Sequence, residues 1–195
     1  MMLVEENPVP DAVLPVAQLK EYLHLATGFA DDADQDGLLS RHLRAAMAAI
    51  EARTGKILIE RDFSWTLRAW RDPVRQLLPV APVNAIVHVT QIAHDGVETI
   101  TNPARWYLVP DTARPALVAK GVILPPVPPH GSVRIGLMAG FGPDWSDLPA
   151  DLAEASLMLA AHHYDARHDT AIAALPPSVT AIVDRFRDLR LGARA

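Results

Sequence analysis

The sequence contains no cysteine. That excludes disulfides, thiolate nucleophiles and cysteine-ligated zinc, and it fits a cytosolic origin. Aromatic residues make up only 6% of the chain, so alanine and leucine must do most of the packing, which favours close helix contacts. No apolar run approaches the roughly 18 residues needed to cross a bilayer; the best stretch, near Ala155–Ala161, is far shorter. The opening MMLVEENPVP lacks a basic segment ahead of an apolar one, so no signal peptide is expected.

Bases are scarce at one end and acids at the other. Residues 1–40 carry Glu5, Glu6, Asp11, Glu21, Asp31, Asp32, Asp34 and Asp36 against Lys20 alone. Residues 184–195 carry Arg185, Arg187, Arg190 and Arg194 against two aspartates. Unlike ends suit head-to-tail or stacked assembly; the plainer reading is that both are solvated. The charge balance, −5 net, does not suggest tight DNA binding, which usually needs a basic face.

What is present is enough to fold: 195 residues, 50% apolar and 21% charged, make one good core or two small ones. The clearest local signal lies between Leu38 and Trp70. A helical stripe of Leu39, Leu43, Ala46, Met47 and Ile50 ends at Thr54-Gly55, and an alternating strand over 57–70 follows at once. The apolar period changes from 3.6 to 2.0 across one glycine.

The rest of the chain falls around this junction. Residues 1–14, rich in proline and acid, read as an extended segment. Helices are expected over 15–27, stopped by Gly28, and over 37–54, with an acidic loop between them. The span 56–143 reads as β-rich, with strands near 85–92, 106–109, 117–124 and 132–139 and a hairpin turn at Asp95-Gly96. A long helix is expected from about 148 to His168 and a last one after Pro176-Pro177, together filling 148–191, with 192–195 a loose tail. The fold class is therefore α+β: a helical bundle from the N- and C-terminal helices (15–55 with 148–191 as one unit) and a central small antiparallel β domain.

Motifs with chemical meaning are weak. Asp32, Asp34, Asp36 and Gly37 match the start of a calcium-binding loop, but the position that needs a bidentate glutamate is Leu43. These aspartates instead suit a helix N-terminus, where the dipole favours anions. His162, His163 and His168 do not share one helix face, since helical neighbours lie three and four apart. None of the six serines sits in a nucleophile elbow, and no glycine pattern cradles a phosphate. No catalytic residue, metal site or cofactor is expected. Trp65 and Trp70 differ in strand parity, so one should be core and the other a surface aromatic, either an interface anchor or a group packed on a sheet edge. His163 is a candidate for a helix interface.

Taken in order, several segments carry a resemblance. They are Pro15-Val16-x-x-Leu19-Lys20, an acidic spacer, and the stretch Ala45 to Ile59 with Glu51, Thr54, Gly55 and Lys56. Phe63-Ser64-Trp65, Leu78–Val83, Asp95-Gly96 and Arg105-Trp106-Tyr107 follow. Val133-Arg134-Ile135, Ala139–Gly142, Leu148-Pro149, Ala161–Tyr164 with Arg167, and Leu175–Val179 complete the set. Over about residues 14–191 this resembles the head–tail connector, or adaptor, proteins of tailed bacteriophages and related gene transfer agents.

The resemblance implies a structural subunit of a homo-oligomeric ring, commonly a dodecamer, in the neck of a phage-like particle assembled in the bacterial cytoplasm. Its implied partners are the portal protein, a stopper or other tail-completion protein, and double-stranded DNA passing without specific binding. On this reading Arg185, Arg187, Arg190 and Arg194 are candidates for the portal contact, and Trp65, Trp70 and His163 for the subunit interface. A tail-completion or stopper protein of the same particle, or a small-ligand-binding α+β protein or enzyme, are the alternatives.

Overall fold

The computed structural model describes residues 2–25, 33–166 and 175–187. The chain divides into two compact units, Met1–Val9 with Ile59–Pro143 and Pro10–Leu58 with Asp144–Ala195. Both classes of element are present, four helices and two antiparallel sheets among the described residues, so the protein is α+β.

The helical unit holds α1 (Val16–Tyr22), α2 (Ala33–Thr54), α3 (Ala150–Asp165) and α4 (Pro177–Val183). The predicted stripe of α2 is its core face: Leu39, Leu43, Ala46, Met47 and Ile50 are all buried. They meet Leu152, Ala155, Ser156 and Leu159 of α3, while Val179 and Val183 bury α4. Each fully buried leucine or isoleucine contributes about 1.5–3 kcal/mol of transfer free energy. The one hydroxyl in this face, Ser156, is satisfied by donating to the Leu152 carbonyl at 2.7 Å.

Helix ends differ from expectation in instructive ways. α1 stops at Tyr22, well before residue 27, because His24 takes a positive φ of 52° and Leu25 N–H turns back to the Lys20 carbonyl at 3.1 Å. Gly28 lies outside the described residues. α2 begins at Ala33, four residues early, so Asp34 and Asp36 sit in its first turn rather than in a loop. A helix there is incompatible with a calcium loop, and Asp36 pairs with Lys20. At the other end, Thr54 Oγ1 donates to the Ile50 carbonyl at 2.8 Å and accepts Lys56 N–H at 3.1 Å. Gly55 has φ +69°, and Glu51 accepts Leu58 N–H at 2.9 Å. The junction read from the sequence is thus a glycine-dependent cap locked by two side chains.

The β unit contains a five-stranded sheet of order β1-β2-β8-β4-β5 and a three-stranded sheet of order β3-β7-β6, antiparallel throughout. The strands are β1 (Met2–Glu5), β2 (Arg61–Leu67), β3 (Arg75–Leu77), β4 (Val83–Ile92), β5 (Glu98–Ile100), β6 (Trp106–Val109), β7 (Ala116–Ala119) and β8 (Ser132–Ala139). Alternation along β2 buries Phe63, Trp65 and Leu67 opposite Leu137, Ile135 and Val133 of β8. Strand β2 is shorter than the expected 57–70. Ile57 and Leu58 belong to the helical unit, and Ile59 makes only an isolated bridge to Gly142. The strand expected over 117–124 ends at Ala119, because Leu124 turns to donate to the Pro73 carbonyl at 2.7 Å. The extended N-terminal segment is more structured than composition indicated: Met2–Glu5 form an edge strand and Asp11–Val13 a 3-10 turn.

Gly140 marks a close approach. Its φ is +145°, and a Cβ there would lie 2.3 Å from Glu60 Cα, so two backbones touch where no side chain fits.

Candidate functional site

Two of the arginines singled out from the sequence lie on the helical unit. Arg185 and Arg187 are described; Arg190 and Arg194 lie outside the described residues, as do Arg167 and His168. Arg185 keeps 68% of its side chain exposed while Nη1 lies 3.1 Å from Asp151 Oδ2. Arg187 Nη1 lies 3.5 Å from Asp184 Oδ1. Both cations are therefore braced against aspartates of the same unit, oriented rather than loose, and still open to a second carboxylate.

The two tryptophans have separate fates. Trp65 is 2% exposed, a core group of the five-stranded sheet with no surface to offer a neighbouring subunit. Trp70, just beyond β2, is half-buried, and its Nε1 donates to the Pro125 carbonyl at 2.7 Å. It pins the proline-rich connector before β8. His163 is half-buried between α2 and α3, with its ring 6.4 Å from both His42 and His162; Tyr164 meets His42 edge-on at 6.1 Å. Burial, and then the charge of His162, hold the His163 pKa below the usual histidine value.

A cavity of about 330 Å³ opens on the five-stranded sheet, with Asp62, Ser64, His88 and Gly136 in its lining. Sequence reasoning did not single out this row. Ser64 of β2 and His88 of β4 both register with Gly136 of the strand between them, so a serine, a histidine and a nearby aspartate share one face. They are not wired as a relay. No hydrogen bond joins Ser64 to His88, and Asp62 accepts instead from Asn7 Nδ2 at 3.2 Å. Among the described residues no group of three or more histidines and carboxylates is placed to hold a metal ion.

The most exposed apolar groups lie at strand edges and loop tips. Strand β1 exposes Met2, Leu3 and Val4, and the β4–β5 hairpin exposes Val97 at 59% and Ile100 at 71%. These two strands are the opposite outer edges of the five-stranded sheet. Strand β1 left no sign in the sequence and β5 was implied only through the hairpin turn at Asp95-Gly96, because strands of three or four residues leave too few positions for a period to show.

Among the described residues, the α+β fold presents paired surface charges and two sheet edges with no further strand beside them. No family model matches the chain, and no curated protein does. Solved structures do. The chain is 48% identical to a chain from the neck of an empty gene transfer agent (GTA) particle computed with C6 symmetry, covering 99% of this chain and 98% of that one with a TM-score of 0.91. It is 48% identical, over the same shares, to a chain of the virion of a native GTA particle, TM-score 0.88. A chain from the neck of the native particle computed with C12 symmetry is 46% identical, again over 99% and 98%, TM-score 0.85. The chain belongs to the head–tail connector (adaptor) family of tailed bacteriophages and related gene transfer agents.

Proposed function

We propose that the protein is a structural head–tail adaptor: one subunit of a closed homo-oligomeric ring in the neck of a phage-like particle, carrying out no chemical reaction. The observation that carries this reading is the full-length likeness, at 46–48% identity, to chains of GTA particles, two of them from necks treated with cyclic symmetry. The ring lies beneath the portal, extends the DNA channel and presents the surface on which the next tail component docks.

Physical features support this role. A cyclic contact beyond a dimer is heterologous and needs two unlike flanks. The arginine-bearing end, with Arg185 and Arg187 braced by Asp151 and Asp184, is the portal-facing contact, continued by Arg190 and Arg194. The acid-rich first forty residues lie toward the channel, where negative charge repels DNA phosphates and lets the duplex pass without sticking. Trp70 and His163 remain candidates for contact between subunits; Trp65 acts from the core.

Two experiments test this. Locating a tagged copy in purified particles by electron microscopy places it at the neck; finding it in the tail fibre or free in the supernatant contradicts the reading. Mixing the chain with portal rings, with and without residues 184–195, tests the arginine end. Loss of binding on truncation is expected, and unchanged binding counts against it.

A further inference from the structure

We propose that neighbouring copies of this chain join edge to edge, with strand β1 of one subunit adding to strand β5 of the next. The proposal rests on the ring reading above and assigns the flanks that reading leaves open.

The sheet order places β1 and β5 at opposite edges, and among the described residues neither outer side is paired with another strand. Two unlike edges on one sheet are what a heterologous, closing contact requires. Five strands, each antiparallel to the next, give β1 and β5 the same direction. The rotation between neighbours in a sixfold or twelvefold ring is too small to reverse a strand, so β5 of one copy meets β1 of the next in parallel.

The main-chain groups of the two edges point the right way for such a joint. Glu6 N–H donates inward to the Asp62 carbonyl at 2.9 Å, so by alternation Leu3 and Glu5 present their N–H and C=O groups outward. On the other edge Thr101 N–H donates inward to Val89 and Ala93 N–H to the Val97 carbonyl, at 2.8 and 2.9 Å, which leaves Glu98 and Ile100 facing out. A parallel ladder with Leu3 opposite Thr99 pairs six of these eight groups in turn, leaving Glu98 N–H and Glu5 C=O at its two ends. Leu3 N–H donates to Glu98 C=O, Ile100 N–H to Leu3 C=O, and Glu5 N–H to Ile100 C=O.

The side chains agree with this register. Leu3 registers with Trp65, and Thr99 with Gln91 and hence Val133, so both lie on the buried face of the sheet. Val4 registers with Ser64, and Ile100 with Thr90 and hence Arg134, on the other face. The register therefore sets Val4, 38% exposed, against Ile100, 71% exposed. A one-residue slip would put every side chain on the wrong face. The two edge carboxylates do not repel, because Glu5 is paired with Arg61 at 2.9 Å and Glu98 with Arg134 at 3.1 Å. Strand β1 carries no lysine or proline to keep a partner away. Three hydrogen bonds and one apolar pair hold two free chains weakly, so the joint forms where closure engages both flanks of every subunit.

The chain's lack of cysteine supplies the test. Particles are made with Val4→Cys/Ile100→Cys as the sole copy of this chain, and treated with a short bis-maleimide. Expected is a ladder of covalent dimers, trimers and larger species, with Val4→Cys or Ile100→Cys alone giving monomer only. Dimers from either single variant would mean like edges meet and would overturn the proposal. So would a double variant present in necks that yields no ladder, with the ring reading left intact. Absence of the wild-type chain from purified particles would overturn the ring reading itself. As a second variant, Ile100→Lys should lower incorporation into necks at least tenfold while Val87→Lys, at an exposed residue of the β4 bulge outside the proposed β1–β5 ladder, does not; equal incorporation of the two would contradict the joint.

Discussion

Arg53, in the last turn of α2, and Asp184, just after α4, meet at a single oxygen: Nε donates to Asp184 Oδ1 at 2.9 Å and Nη2 lies 2.8 Å from the same atom. The two residues are 131 positions apart in sequence. Arg187 approaches that oxygen as well, at 3.5 Å, so this aspartate helps tie the arginine-bearing end to the helix before the β unit.

Arg53→Ala and Asp184→Ala should each cost the helical unit about 0.5–1 kcal/mol, and a double-mutant cycle should return a coupling energy of that size. The pair is about a third exposed, so the coupling should shrink as salt rises. Urea denaturation at low and high ionic strength measures both. A coupling of zero at low salt would remove Asp184 as an organiser of this end.

The two tryptophans should separate cleanly. Trp65→Ala removes a buried ring and should cost about 3–5 kcal/mol, whereas Trp70→Phe loses one hydrogen bond to Pro125 and should cost about 1 kcal/mol. Thermal melts of the two variants decide this. Equal effects would contradict the assignment of Trp65 to the core.

Gly140→Ala forces a side chain against the Glu60 backbone, at 2.3 Å from Cα. Because neither backbone is free to withdraw, the variant should lose several kcal/mol, on the order of 3 or more. Gly55→Ala meets no neighbour and suffers only from its positive φ, which should cost about 1 kcal/mol. Equilibrium unfolding of the pair tests the difference between a steric and a conformational requirement.

Helix-bundle stability should fall as pH drops from 7 to 5. His163 has a folded-state pKa held below its unfolded value by burial and by His162. The unfolded chain therefore takes up the proton first, and the histidine's contribution is present above the unfolded value near 6.5 and lost as pH falls through the lower folded one. His163→Gln should flatten this part of the profile. A melting temperature with the same pH slope in both proteins would contradict the assignment.

The fold was legible where the pattern was long. The stripe of α2, the alternation of β2 and the hairpin at Asp95-Gly96 each supply several consistent positions, and all three are realised. Boundaries were less legible because they depend on single backbone conformations and on long-range hydrogen bonds: His24 ends α1 by adopting a left-handed conformation, and β7 stops at Ala119, with Leu124 beyond it reaching Pro73. Strand β1 was missed, and β5 was implied only as the return of the Asp95-Gly96 hairpin, because three or four exposed residues show no period; what makes both of them edges is the sheet order, which no local pattern encodes. The family was legible as an ordered series of segments rather than through any one motif, which suits a protein whose work is done by surfaces.

The most direct test of the central claim is to image the particles made when this chain is absent. The account predicts DNA-filled heads that lack tails, restored to tailed particles by supplying the wild-type chain. Tailed particles of normal form and number without it would contradict the account.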